Sequence, residues 1–423
     1  MRTGNQRMSE SRTTSAPHTI FITYHLPIDD EPGAFRPWVE ARLLREAGHR
    51  VTVITSAVHY MTGKFVGPGR GWCREEVRDS IRILRVWTVA DYRTSFYRRV
   101  LNYAIFVLLS VVAALVRVRE HVDWVFAATD PVLVTPLVLL VSTLKRAPVV
   151  LDERDLSPDT AIALGIMRPG LATRLVFGMQ QFLRRHAFAV LAATPGIKRR
   201  LAAYGHSPDQ IHVLLNGDPY LEAKQSADPP ATVREYRSRF RCLVAYAGTL
   251  GQANDVEVII RAAARLKERD DIGFLIAGTG ERLNEYRELA SAMGIRNLAF
   301  LGAMSRDDSR ATLAACDLCV SALPADPFFQ GTLPSKLFDY LGSGMPVVFG
   351  GEGDSAELLE ESGAGIVVPA LDDRRMSEAL ARLADDDSMR KQMSQSGRDW
   401  YVRHINVASC GQILRRAFLA QHL

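Results

Sequence analysis

From Thr19 onward, short runs of β-branched and apolar residues alternate with longer stretches in which apolar positions recur every three to four residues. The runs TIFITYHLP, VTVITS, ILRVWTV, WVFAAT, PVVLDERD, AVLAATP and IHVLLNG read as strands, and PWVEARLLREAGHR typifies the helical stretches between them. Strand and helix in alternation predict βα units and a parallel sheet. This series closes at Asn216 and Gly217, and the stretch 218–239, which mixes Pro, Asp and Ser without a long apolar period, reads as a linker. A second series follows, with strands RCLVAYAGTL, GFLIAGTG, NLAFLGA, LCVSALP, PVVFGG and GIVVPA and helices near 255–269, 281–293, 306–315, 334–343 and 375–386. The pattern thus predicts two Rossmann-like, doubly wound α/β domains, at 19–217 and 240–403. A helix at 404–423 is a candidate to return to the first domain. Ligands of such sheets bind beyond the carboxyl ends of the strands, so the cleft between the domains is the expected site.

The length of 423 residues agrees with two to three domains at roughly 150 residues each. With 47% hydrophobic and 23% charged residues, neither a disordered chain nor a polytopic membrane protein fits. Residues 1–18 are polar and lack the apolar centre of a secretory signal, so they are expected as a disordered tail. Five cysteines, an odd number, suit a reducing compartment rather than a disulfide framework. Cys316 and Cys319 form a CxxC inside the apolar run AACDLCVSA and read as core residues, not metal ligands.

The net charge of +5 does not call for nucleic acid, but it is unevenly placed. Residues 64–119 hold eleven basic against four acidic side chains. Either this is a solvated face or it meets something anionic. Inside it, the apolar run at 100–116 would be about 26 Å long as a helix, short of the roughly 30 Å of a bilayer core. Arg98, Arg99, Arg117 and Arg119 flank it, with Tyr92, Phe96, Tyr97 and Tyr103 near one end. Two readings stand side by side: a helix at a membrane interface, making residues 92–119 a membrane-facing surface, or a helix buried on the sheet.

Candidate chemistry concentrates in ADPFFQGTLPSKLFDYLGSGMPVVFGG, residues 325–351. A glycine turn leads through Thr332, Pro334 and Ser335 into a helix whose first N–H groups and positive dipole end can hold phosphate. Lys336 adds a full charge there, and Asp339 follows three residues on. A cation for a diphosphate beside a carboxylate for ribose hydroxyls suits a nucleotide-sugar site. A plain i,i+3 ion pair is the competing account.

With these residues in view, the chain resembles a bacterial family-4 glycosyltransferase of GT-B fold, in the subgroup that builds O-antigen, capsule and exopolysaccharide. The resemblance spans residues 19–403: EPGAFR and LLREAGHRVTVIT, then DERDLSPD, ALGIMRPG, ATPGIKRRLAAYG and LLNGD, then VAYAGTLGQAND, FLIAGTGE, LAFLGAMSRDD and PSKLFDYLGSGMPV, in the family's order. It implies a retaining sugar transfer from a nucleoside diphosphate donor, most simply a UDP-sugar, held mainly by the C-terminal domain. The implied acceptor is a lipid-linked saccharide or other glycan at the inner face of the membrane. The sugar nucleotide is co-substrate; no cofactor, metal or nucleic acid is implied.

Within the family's pair of acids eight positions apart, the second falls on Asp339, as a ribose ligand, while Gly331 stands where the first should be. Gln330, Thr332 or a backbone N–H must then hold the donor sugar. The Arg and Lys that many relatives place after the first strand of the second domain are replaced by Thr249 and Asn254. Lys336, with Arg36, would carry that charge instead, helped by backbone N–H groups at Gly33 and Gly251. The resemblance also brings Gly248, Gly278, Gly280, Glu281 and Ser335 into the donor-binding set. DERDLSPD ends a strand of the first domain, so Glu153, Arg154, Asp155 and Asp159 should face the cleft. Arg154 and Asp155 are candidates to position the acceptor or its phosphate, with helix capping as the plainer role for Asp155. Two other readings fit the same architecture: a nucleotide-sugar 2-epimerase, and a binding protein without catalysis.

Overall fold

The computed structural model describes residues 16–28, 35–59, 63–67, 71–92, 95–221 and 228–419. Eight strands form the first sheet: β1 (His18–Ile22), β2 (Arg50–Ser56), β3 (Cys73–Arg78), β4 (Ile81–Val86), β5 (Trp124–Ala128), β6 (Val149–Glu153), β7 (Ala189–Ala192) and β8 (Ile211–Val213), in the order β3-β4-β2-β1-β5-β6-β7-β8. All neighbours run parallel except β3 and β4, an antiparallel edge hairpin. Six more, β9 (Cys242–Ala247), β10 (Ile272–Ala277), β11 (Leu298–Gly302), β12 (Leu318–Ala322), β13 (Val347–Gly350) and β14 (Gly365–Val368), make an all-parallel sheet ordered β11-β10-β9-β12-β13-β14. The central strands are apolar along their whole length because helices cover both faces: every residue of β1, β6, β10 and β12 is buried. β3 was not among the expected strands. Its sequence CREEVR carries four charges, which is how an exposed edge strand avoids further pairing.

One face of the first sheet is covered by the helices Arg36–Glu46 and Val407–Leu419. The last helix has thus crossed back from the second domain: its Phe418 ring lies 5.3 Å from Trp124 and 5.7 Å from Phe126. The opposite face carries Phe96–Val116, Thr135–Lys145, Leu171–His186 and Pro195–Ala203. The Phe96–Val116 helix is neither wholly buried nor free. Asn102, Phe106, Ser110 and Ala113 form a thin inner stripe, while Tyr97, Leu101 and Leu108, the last 63% exposed, face outward.

The chain passes between the domains twice, and both crossings run side by side. A Cβ on Gly217 would come within 2.6 Å of Ile405 Cγ2. The Tyr401 hydroxyl accepts from the Asp218 N–H and donates to the Asp218 carbonyl, each at 2.9 Å. The 218–239 stretch is not all linker: Ala231–Arg239 is a helix anchored by buried Val233 and half-buried Tyr236, too few apolar contacts to show as a period. Cys316 and Cys319 pack in the second domain's core, where burial pushes the Cys316 thiol up to about 12.

Candidate active site

The Ser335–Gly342 helix begins where Pro334, at its N-cap, accepts the Leu337 N–H at 3.0 Å, and ends as Gly344 turns left-handed at φ +67°. Its first turn lies against the carboxyl end of β9. Lys336 runs inward there and is 8% exposed. Its Nζ donates to the Tyr246 hydroxyl at 2.8 Å and to Asn254 Oδ1 at 2.7 Å, and sits 4.2 Å from the Tyr246 ring centroid. Among the described residues no carboxylate pairs with it. Burial therefore pulls its pKa down to about 7.

The glycines around this lysine follow from the space it needs. A Cβ on Gly248 would meet Lys336 Cε at 2.7 Å, and one on Gly278, whose φ is +140°, would stand 1.8 Å from the Gly248 carbonyl oxygen. Gly280 packs as closely on Leu250, whereas Gly251 makes only ordinary contacts with Thr249 and Glu281. The Thr249 carbonyl accepts from the Tyr246 hydroxyl at 2.8 Å and from Asn254 Nδ2 at 3.2 Å, which fixes both partners of the ammonium. Asn254 stands where the family resemblance calls for a cation, and the ammonium that reaches this spot arrives from Lys336, 82 residues away.

Asp339 does not pair with Lys336. Its surroundings push its carboxyl up to about 6, burial first, with Arg306 and Arg310 opposing and Asp218 adding. Arg306 and Arg310 both donate to Asp218 Oδ2, at 3.0 and 3.2 Å, and the Arg306 guanidinium lies 3.8 Å from the Phe35 ring centroid of the first domain. Sequence reasoning missed these two arginines, because nothing in SRDDSR marks which way they turn.

Gln330, Gly331 and Thr332 form a separate group against the first domain. Thr194 donates to the Gly331 carbonyl at 2.8 Å, and the Gly196 N–H to Asp354 Oδ2 at 2.5 Å, with Arg199 also paired to Asp354. A Cβ on Gly331 would lie 3.2 Å from Gly196 Cα. An acid here would push the two backbones apart, which is a physical reason for glycine at this position. Gln330 Nε2 donates to Glu352, and the Thr332 carbonyl accepts from Ser355. Ser335 is half-buried at the helix start.

On the first domain's side, Arg36 is a correction. It is buried, with NH2 at 2.8 Å from Asp152 Oδ1, Nε at 2.8 Å from Glu40 Oε1 and NH1 donating to the Leu214 carbonyl at 2.7 Å. Its charge is already matched, so it holds the fold rather than a diphosphate. Arg154 shares the network, paired to Asp152 and, at 3.3 Å, to Glu40. Burial works against the ionised Asp152, but Arg154 and Arg36 outweigh it and hold that carboxyl low. Asp155 is solvent-exposed, with protein close around its carboxyl. That enclosure, then Asp130, pushes it up to about 6. It caps no helix, for Pro158 stands at the N-cap of Asp159–Ala163 without a side-chain bond. Gly33 lies outside the described residues.

The family model of the glycosyl transferase 4-like domain matches residues 39–217, and that of glycosyl transferases group 1 matches 241–400. The chain belongs to this glycosyltransferase family. The alpha-D-kanosaminyltransferase of Streptomyces kanamyceticus is 28% identical over 54% of this chain, a match spanning 60% of that relative's length. WcaI of Escherichia coli (strain K12), assigned as a colanic acid biosynthesis glycosyl transferase, is 22% identical over 76% of this chain and 78% of its own. The structure of Anabaena HepE in complex with UDP and glucose superposes with a TM-score of 0.68 at 14% identity, over 95% of this chain and 99% of that one. The two facing parallel-sheet domains are the GT-B fold. Family and fold agree with the order of the motifs along the chain.

Proposed function

We propose that this glycosyltransferase moves a sugar, with retention, from a nucleoside diphosphate donor to a lipid-linked saccharide or polysaccharide precursor of the cell envelope. The observation that carries the reading is the Lys336 ammonium, buried without a counter-charge at the amino end of a helix. Such a site has paid the cost of burying a cation and is complete only with an anion beside it. In the transfer the bond from the anomeric carbon to the diphosphate oxygen breaks, a bond to the acceptor oxygen forms on the same face, and the acceptor proton passes to the leaving phosphate oxygen. Negative charge grows on the diphosphate as this happens, so Lys336, the first N–H groups of its helix and the Gly248 and Gly251 backbone stabilise the transition state more than the bound donor. A metal ion is not needed for that step. Asp339 accepts from the ribose hydroxyls, and Gln330, Thr332 or the Gly331 N–H meets the donor sugar. Arg154 and Asp155 orient the acceptor. UDP is the favoured nucleotide, supported by the UDP bound in the HepE structure. The outward face of Phe96–Val116, with Arg98, Arg99, Arg117 and Arg119, holds the protein peripherally at the cytoplasmic side of the membrane, where a lipid-linked acceptor resides.

The test is incubation with UDP-, GDP- and dTDP-sugars, with and without a polyprenyl diphosphate-sugar acceptor. Transfer or donor hydrolysis is expected. Inversion at C2 of the free donor would identify an isomerase, and binding without turnover a binding protein.

A further inference from the structure

The Leu171–His186 helix faces the wrong way for one that ends at water. Its inner face is largely polar: beside Leu183, the side chains of Thr173, Gln180, Gln181 and Arg184 are buried, with Arg184 Nε 2.8 Å from Glu153 Oε1 of β6. Gln180 is fully buried, and neither of its amide atoms has a hydrogen-bond partner. Its outer face is apolar: Leu171, Leu175 and Phe182 are 76%, 66% and 52% exposed. At spacings of four and seven these three fall on a single stripe. A surface helix normally turns such a stripe inward, and burying an amide without partners costs stability. Leu183 and the Arg184–Glu153 pair hold this face on the sheet, and the apolar stripe is left on the outer side.

The neighbouring helices continue the same surface. Thr135–Lys145 packs against both Phe96–Val116 and Leu171–His186 on one face of the first sheet, and its Leu140 and Leu144 are exposed. Charge settles what covers them. Residues 96–119, 132–146 and 164–186 contain no Asp or Glu, although the chain has 47. They carry exposed Arg98, Arg119, Arg146, Arg168, Arg174 and Arg185. Apolar side chains amid guanidinium groups, on segments without an acid of their own, match an anionic lipid surface, with acyl chains for the first and phosphates for the second.

We infer that Leu171–His186 is a second lipid-docking element, lying flat in the headgroup region of an anionic membrane with Leu171, Leu175 and Phe182 immersed. This rests on the membrane reading of Phe96–Val116 and extends it. Contact along one helix leaves the protein free to roll about it; a second line of contact sets the tilt of the first domain and hence the height of the cleft above the headgroups.

The test is co-sedimentation of the full chain with vesicles of phosphatidylethanolamine and phosphatidylglycerol. It compares the parent, Leu175→Asp with Phe182→Asp, and Leu101→Asp with Leu108→Asp, all with their melting temperatures. Both pairs are expected to melt like the parent and to bind vesicles at least about tenfold more weakly. Parent-like binding by the Leu175/Phe182 pair, with loss in the Leu101/Leu108 pair, overturns this inference and leaves the earlier reading standing. A parent that does not sediment overturns both. If the parent is a dimer by light scattering without lipid and the Leu175/Phe182 pair is a monomer, the stripe is a self-association face and the inference fails. An environment-sensitive dye on Leu175→Cys should shift to the blue with vesicles. An unchanged spectrum would sink the inference whether or not the aspartate pair folds.

Discussion

Each domain buries positive charge, and the two do so in opposite ways. In the first, Arg36 and Arg154 are interleaved with Glu40 and Asp152, so every cation has a carboxylate within contact. In the second, Lys336 has, among the described residues, a phenol, an amide oxygen and a ring face but no carboxylate. Burial alone does not distinguish a structural charge from a functional one; compensation does. A matched cluster is finished in the empty protein, and an unmatched cation is finished by what binds to it.

The contrast can be broken by mutation. Arg36→Leu should cost about 3–5 kcal/mol of stability, because it leaves Glu40 and Asp152 buried together. Denaturant midpoints measure this, and a loss below about 1 kcal/mol would remove the structural assignment. Lys336→Ala should do the reverse, keeping the fold while lowering kcat/KM by about a hundredfold, near 3 kcal/mol of transition-state stabilisation. Asp339→Ala should lower it by about tenfold. Normal rates in both variants would show that the diphosphate sits elsewhere.

The gentlest probe is pH. Lys336 titrates near 7 in the fold, whereas a lysine in the unfolded chain titrates near about 10.4. Below the folded value both states are charged and folding carries the full cost of burial. Between the two values only the unfolded chain keeps the proton, so stability should rise with pH there, and the rise should vanish in Lys336→Met. Because kcat/KM reports the free enzyme, it should fall as pH passes the folded value. A diphosphate beside the ammonium raises that value, so kcat should hold to higher pH.

Much of this was legible in the sequence, for reasons that also explain the rest. Central strands of a parallel sheet are apolar on both sides and announce themselves as runs; β3 has no buried position and the Ala231–Arg239 helix has one, so neither leaves a period. Lys336 stood out through its local setting of Pro, Ser and glycine. Its partners Tyr246 and Asn254 did not, since they come from 90 and 82 residues away. Arg36 was misread in part for the same reason: Glu40 stands four residues on, but its second partner, Asp152, is 116 residues distant. The Leu171–His186 helix shows a subtler limit. Periodicity marks two faces of a helix, but not which one turns toward the sheet.

The paired crossings at Gly217 and Ile405 bear on how the molecule can move. A single tether would let the halves twist and splay in any direction. Two chain passages lying side by side, with Tyr401 bonded to the backbone N–H and carbonyl of Asp218, behave like the pin of a door. Relative motion of the halves is then confined mainly to a swing about that line.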